Sequence, residues 1–120
     1  MSNLNYFTKS EFDCKCGCGL NNMKGEFLGK IDSVRGRASI PFVVTSGSRC
    51  KQHNKEEGGK PDSEHLIGEG VDIKADNGFK RWKIVTAAIA VGIRRIGVGD
   101  GFVHLGDDLV GHPNPVLWTY

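Results

Sequence analysis

The sequence predicts an α+β domain in which a small, mostly antiparallel sheet carries packed helices. Two segments have the apolar spacing of amphipathic helices, and five short runs rich in β-branched or apolar residues are separated by turn signals. The 17 glycines favour many turns and bends over a bundle of long helices.

Length and composition indicate one globular domain, which we place at residues 1–120. A chain of 120 residues can bury one hydrophobic core but not two. Hydrophobic residues make up 38% and charged residues 25%, as in ordinary soluble domains rather than disordered chains. The net charge of +2 is too small to indicate a nucleic-acid partner. No apolar run is long enough to span a membrane, so we expect a soluble monomer without a membrane partner.

Two helices are predicted. Met23, Phe27, Ile31 and Val34 recur at spacings of four, four and three, which predicts an amphipathic helix ending near Arg37. A second helix is capped by Asp76 or Asn77 and ends at Gly92. The residues expected on its buried face, with Trp82 in the core, are Phe79, Trp82, Val85, Ala88 and Ile89.

The remaining segments are strands and loops. Residues 42–45, 70–73 and 116–120 read as strands, and residues 96–98 and 102–105 as a hairpin joined at Gly99-Asp100-Gly101. Thr8 and Glu11 have the spacing of a capping box, which predicts a single helical turn. Residues 50–62 are predicted to form a long polar loop, and loops of that length are more often functional than idle.

Residues 63–72 carry the strongest chemical signal. His65 and Asp72 lie seven positions apart, and an extended chain would separate them by about 23–25 Å. Gly68 and Gly70 allow a bend that brings the two side chains together. His104, in the middle of an apolar strand, is the best candidate for a third ligand. Two histidines and one carboxylate are the protein ligands of a catalytic zinc site, in which the fourth position stays open.

Hydrolysis at such a site needs a general base close to the attacking water. Asp100 on the hairpin is the first candidate, and Asp107 and Asp108 are the alternatives. Glu64 and Glu69 flank a ligand but are interpreted as solvated charges.

Several segments together form a recognisable pattern. They are Val44-Thr45-Ser46-Gly47-Ser48-Arg49-Cys50, His53-Asn54, Gly58-Gly59 and Ser63-x-His65-x-x-Gly68-x-x-x-Asp72. This pattern resembles the zinc D-Ala-D-Ala carboxypeptidase family, and more narrowly its short single-domain members from bacteriophages and prophages. The resemblance implies the hedgehog/DD-peptidase-like fold and zinc ligands His65, Asp72 and His104. It also implies that Arg49 binds a substrate carboxylate or steadies the oxyanion.

The chain departs from the family pattern at three glycines. Gly70 replaces the alanine of the motif. The family's acid commonly lies three residues before the third histidine, where this chain has Gly101 preceded by Asp100. Some short members instead carry an acid two residues after that histidine, where this chain has Gly106 followed by Asp107.

The resemblance implies a peptidase with one catalytic zinc that cleaves peptidoglycan stem peptides, as a carboxypeptidase or an endopeptidase. The alternative is a catalytically silent zinc-binding structural or virion component. Residues 1–5 lack the features of a secretory signal. We therefore expect an endolysin-like protein that is made in the host cytoplasm and acts at the cell wall after release, or one carried by the virion.

Four cysteines leave several interpretations open. Cys14, Cys16 and Cys18 are separated by single residues, and Cys50 lies far away in sequence. A structural zinc site usually has two to four residues within a cysteine pair, so the spacing is a weak signal for metal. Reduced thiols, or a disulfide from the loop to Cys50, fit equally well. A zinc-ribbon nucleic-acid module would need a second cysteine pair.

Overall fold

The computed structural model describes residues 4–120, and it confirms the α+β class. The helices are α1 (Gly25–Ala38), α2 (Lys51–Glu56) and α3 (Gly78–Val91), and the strands are β1 (Val44–Ser46), β2 (Gly70–Ala75), β3 (Arg95–Val98), β4 (Gly101–Gly106) and β5 (Val116–Thr119). Two 3-10 turns, Lys9–Phe12 and Glu64–Ile67, complete the secondary structure. The expectation about a secretory signal falls partly on residues 1–3, outside the described residues.

The five strands form one sheet in the order β1-β2-β4-β3-β5. All neighbouring strands are antiparallel except β3 and β5, which are parallel. In the central pair, Asp72 of β2 lies directly opposite His104 of β4. Residues directly opposite each other in an antiparallel pair point to the same face, so the register alone brings these two side chains together.

Alternation along the two central strands separates the core from the site. The completely buried core side chains of these strands are Val71, Ile73, Ala75, Val103 and Leu105. Helices α1 and α3 pack against each other, and α3 also contacts β2 and β4. Because successive side chains of a strand point to opposite faces, Asp72 and His104 lie on the face opposite to these core residues.

The ends of α3 are confirmed, but its predicted buried face is wrong except at Ala88 and, in part, Val85. The Asn77 side chain accepts a hydrogen bond from the Lys80 backbone N–H at 2.8 Å, and Gly92 ends the helix with a φ of 104°. The buried residues of α3 are Ile84, Ala87 and Ala88, whereas Phe79 and Trp82 are 65% and 69% exposed. Small alanines let α3 lie close to its neighbours, and the buried stripe is rotated about the helix axis from the predicted one, with which it shares Ala88.

The prediction of a loop over residues 50–62 is wrong in its first half, where α2 forms. The Cys50 sulfur accepts a hydrogen bond from the backbone N–H of His53 at 3.4 Å and caps the helix. Cysteine is not among the residues preferred at this position, which are serine, threonine, aspartate and asparagine. In the part of the chain that the structure describes, no helix is both long enough and apolar enough to cross a membrane.

Candidate metal centre and active site

The three predicted ligands converge at one point. Asp72 Oδ1 lies 3.2 Å from His65 Nε2 and 2.9 Å from His104 Nδ1. One donor atom from each residue lies within 4.8 Å of the other two, and all three residues are buried. We call His65, Asp72 and His104 the ligand triad.

The bend predicted at Gly68 brings His65 to the strands. His65 lies in the second 3-10 turn, whose first N–H groups are capped by the Ser63 hydroxyl, which accepts from the His65 backbone N–H at 3.2 Å. Gly68 ends the turn with a φ of 73°, a conformation that favours glycine. A Cβ at Gly68 would also overlap the carbonyl oxygen of Asn22, so no other residue fits without movement.

The outer nitrogen of each imidazole is fixed by an acceptor. His65 Nδ1 lies 2.8 Å from the Gly47 carbonyl oxygen, which can only accept, so this nitrogen carries the hydrogen. His104 Nε2 lies 2.8 Å from Glu64 Oε1 and donates to that carboxylate. In the neutral imidazoles, the inner nitrogens, His65 Nε2 and His104 Nδ1, therefore present lone pairs toward Asp72.

This arrangement fits a metal ion. Two nitrogen lone pairs and a carboxylate oxygen at about hydrogen-bonding distance repel one another unless a proton or a cation lies between them. Burial raises the pKa of Asp72, but hydrogen bonds from His104 and His65 and their charges hold it well below its usual range. Burial lowers the pKa of His104, but hydrogen bonds to Asp72 and Glu64 raise it above its ordinary value. Two imidazole nitrogens and one carboxylate oxygen are a set of ligands that zinc accepts in proteins.

Glu64 is the functional residue that sequence reasoning missed, and the interpretation of its carboxylate as a solvated charge is wrong. Glu64 is 3% exposed. Its Oε1 accepts from His104 Nε2, and its Oε2 accepts from Arg95 Nε at 2.9 Å and from the Asp108 backbone N–H at 3.0 Å. Burial raises the pKa of Glu64, but these hydrogen bonds and the charge of His104 lower it further than burial raises it. A carboxylate that holds the outer nitrogen of a ligating histidine orients the ring and increases its basicity.

The Glu64 carboxylate fills the space beside Gly106, the residue two positions after His104. A Cβ added at Gly106 would overlap both carboxylate oxygens of Glu64. An acid at position 106 would thus place its carboxylate close to where Glu64 already has one. The signal available in the sequence was Gly106 itself, at a position where some short members of the family carry an acid.

Arg49 contacts the triad through the Asp72 oxygen that the two histidines do not contact. Its Nη2 donates to Asp72 Oδ2 at 3.3 Å, its Nε to Ser46 Oγ at 2.9 Å and its Nη1 to Asn54 Oδ1 at 3.2 Å. Asp72 therefore uses one oxygen for Arg49 and the other for the two histidines. The prediction that Arg49 lies at the site agrees with this geometry.

The three candidate bases lie elsewhere. Asp100 is exposed in the hairpin turn, four residues before His104 and hence about 13 Å away along the strand. Asp107 is paired with Lys30, whose Nζ lies 2.9 Å from its Oδ1. The Asp108 carboxylate contacts His112 at 2.9 Å. Among the described residues, none of these three carboxylates is hydrogen-bonded to the triad.

Aromatic residues border the triad on the β5 side. The ring of Trp118 lies 5.7 Å from that of His104, and the guanidinium carbon of Arg95 lies 4.9 Å from the Trp118 ring. Trp118 is only partly buried. Tyr120 lies 6.3 Å from Trp118 and is 70% exposed. The aromatic side chains therefore offer an apolar surface beside the polar triad.

A family model described as Peptidase M15 matches residues 5–106. The chain belongs to the peptidase M15 family. This is the zinc-dependent D-Ala-D-Ala carboxypeptidase family that the sequence pattern indicated. The matched range includes the whole triad together with Arg49 and Glu64, and it ends before β5. A comparison with curated proteins finds no significant match. Family membership and the triad together support a zinc metallopeptidase.

Proposed function

We propose that this M15 peptidase hydrolyses peptide bonds in peptidoglycan stem peptides, as a D-Ala-D-Ala carboxypeptidase or an endopeptidase. The observation that supports the proposal best is the convergence of three buried ligands with an arginine whose guanidinium is fixed beside them. The narrower assignment to endolysin-like phage or prophage enzymes, which act at the wall after release or from the virion, rests on the sequence pattern around Arg49 and His65.

The triad would hold zinc through His65 Nε2, Asp72 Oδ1 and His104 Nδ1. Zinc at this position supplies a Lewis acid that polarises a carbonyl and lowers the pKa of a water molecule. Gly47 and Glu64 keep both imidazoles in the tautomer that presents a lone pair to the metal.

Arg49 would recognise the substrate. A guanidinium has five N–H donors, and three of them are used for Ser46, Asn54 and Asp72. Two donors are therefore left for a substrate carboxylate or for the oxyanion of the transition state, and their fixed fork suits either task.

Asp100 stays our predicted general base. It lies about 13 Å from His104 along the strand in the described structure, so a direct measurement of turnover has to decide the role. Replacement of Asp100 by asparagine should then lower turnover by about 10²–10⁴-fold without changing zinc affinity. Near-normal turnover of this variant would transfer the role to another carboxylate.

A zymogram on purified cell walls tests the function. The wild type should clear the wall, and His65→Ala should not, because the triad loses one of its two imidazoles. His53→Ala is a matched control, since this histidine lies on α2 and pairs with Glu56 and Glu57 rather than with the triad. Mass spectrometry of the released fragments distinguishes loss of a terminal D-Ala from an internal cut.

The second candidate is a catalytically silent zinc-binding component. It is favoured by one observation, that the buried Glu64 is fully engaged by three partners while Asp100 lies at the hairpin turn. Zinc bound at the triad of the wild type, with no cleavage of walls or of isolated stem peptides, would support this candidate and overturn the peptidase proposal.

A further inference from the structure

All four cysteines of the chain meet in a second cluster, which shares no residue with the triad. One sulfur each from Cys14, Cys16, Cys18 and Cys50 lies within 4.8 Å of the other three. The Cys14 and Cys16 sulfurs are 3.4 Å apart, and those of Cys16 and Cys50 are 3.8 Å apart. All four are free thiols.

These separations match a tetrahedral metal site. Four sulfurs, each at about 2.3 Å from a central zinc ion, lie about 3.8 Å from one another along the edges of a tetrahedron. A disulfide would hold two of them at about 2.05 Å. The cluster therefore has the dimensions of four separate ligands around one ion.

The curled backbone of the loop brings together three cysteines whose spacing would keep them too far apart for one ion on an extended chain. Side chains two positions apart on an extended chain point to the same side but lie about 6.5–7 Å apart, which is too far for a common ion. Here the Gly17 backbone N–H donates to the Cys14 carbonyl oxygen at 3.3 Å, and the Cys14 N–H donates to Leu20 at 2.8 Å. Gly17 and Gly19 have φ values of 87° and 85°, which let the chain curl around the sulfurs.

Backbone amides point at two of the sulfurs. The Cys50 N–H donates to Cys14 Sγ at 3.4 Å, and the His53 N–H donates to Cys50 Sγ at 3.4 Å. Hydrogen bonds from amides favour the thiolate over the thiol, and the thiolate is the form that binds metal. Two of the four sulfurs are thus prepared as ligands by the backbone around them.

We propose that Cys14, Cys16, Cys18 and Cys50 bind a structural zinc ion. Four thiolates close the tetrahedron and leave no position for substrate, so the ion has no catalytic role. It joins the loop at residues 14–19 to Cys50, which directly follows Arg49 in the chain. Binding of zinc would therefore fix the chain around Cys50 and so help to position Arg49 beside Asp72. The inference does not depend on the peptidase proposal.

Metal analysis of protein purified anaerobically with a thiol reductant tests this site separately from the triad. The wild type should hold two equivalents of zinc, and His65→Ala should keep one. Cobalt loaded into His65→Ala should give the strong thiolate-to-metal charge-transfer absorption of a four-sulfur site. A thiol reagent should label the zinc protein slowly and, after a chelator removes the ion, should label all four cysteines, because the chain has no others.

Cys16→Ser should lose the second equivalent and the charge-transfer band while the triad keeps its zinc. If Cys16→Ser does not fold, the cobalt spectrum and the thiol reactivity of His65→Ala still decide the question. Absence of zinc from His65→Ala would overturn the proposal. It would also be overturned if the protein prepared without reductant had the mass of a disulfide, two hydrogens lower, and if its thiol reactivity did not depend on metal.

Discussion

The buried carboxylate of Glu64 can be tested by moving it to another position of the chain. Glu64→Ala removes the partner of Arg95 and of His104, both of which are almost completely buried. Gly106→Asp places a Cβ where the Glu64 carboxylate now lies, and a new carboxylate one bond beyond it. The φ of Gly106 is not positive, so the backbone accepts an L-residue there.

The expected effects follow from burial. Removal of one partner from a buried ion pair costs about 3–5 kcal/mol, since the other charge stays buried without compensation. Loss of the carboxylate behind His104 should also weaken zinc binding at the triad by about 10–100-fold. Gly106→Asp alone should destabilise the protein by at least about 1–3 kcal/mol, because it overpacks the site and brings two carboxylates together.

The double variant Glu64→Ala/Gly106→Asp should be more stable than the sum of the single effects predicts. One carboxylate is again present beside Arg95 and His104, and the overlap is gone. We expect a favourable coupling of about 1–3 kcal/mol, within the range for residues in direct contact.

Urea denaturation of the metal-free proteins measures the stability, and competition with a zinc chelator measures the affinity. The cycle needs all four proteins under the same buffer and salt. Additive effects of the two substitutions, or a Glu64→Ala protein with wild-type zinc affinity, would refute the positioning role of this carboxylate.

Three further predictions concern the same site. Arg49→Lys should lower turnover of a peptide ending in D-Ala-D-Ala by about 10–100-fold with little change in zinc affinity, because a lysine is a single point charge that cannot reproduce the fork; equal kinetics would exclude a role in substrate binding. The metal-free protein should be most stable in urea between about pH 5 and 6.5. Because folding lowers the pKa of Glu64, its carboxylate stabilises the protein at pH values above the ordinary pKa of a glutamate, and this stabilisation is lost as the pH falls. Because folding raises the pKa of His104, its imidazolium stabilises the protein at pH values below the ordinary pKa of a histidine, and this stabilisation is lost as the pH rises. Gly70→Ala should destabilise the protein by about 1–3 kcal/mol, because a Cβ at this position would lie 2.9 Å from the Glu64 Cβ. The double substitution Glu64→Ala/Gly106→Asp should not reduce this loss of stability. Unchanged stability of Gly70→Ala in urea would contradict the close approach of the 3-10 turn to β2.

Local signals in the sequence were sufficient for most of the secondary structure and for the triad. The cap at Asn77, the stop at Gly92 and the turn around Gly68 each depend on one residue and its immediate neighbours, so the sequence predicts them well. Alternation on the central strands then places Asp72 and His104 on one face.

Features that depend on distant packing were not predictable in the same way. The apolar pattern of α3 allows two stripes, and only the contacts with α1 and the sheet select Ile84 and Ala87 over Phe79 and Trp82. The convergence of Cys50 with the cysteine loop likewise depends on where the end of β1 lies relative to the N-terminal segment.

Two of the departures from the family pattern, Gly70 and Gly106, lie where the 3-10 turn that carries Glu64 packs against β2 and β4. At Gly106, a Cβ would overlap the Glu64 carboxylate, and at Gly70 a Cβ would lie 2.9 Å from the Glu64 Cβ and 3.0 Å from the His65 backbone nitrogen. Gly106 leaves room for the Glu64 carboxylate. Gly70 lets the 3-10 turn that carries Glu64 lie directly on β2. At Gly106 the conflict is with the Glu64 carboxylate, whereas at Gly70 it is with the Cβ of position 64 and the backbone of the 3-10 turn. The buried negative charge at this place comes from Glu64, whose carboxylate contacts both Arg95 and His104.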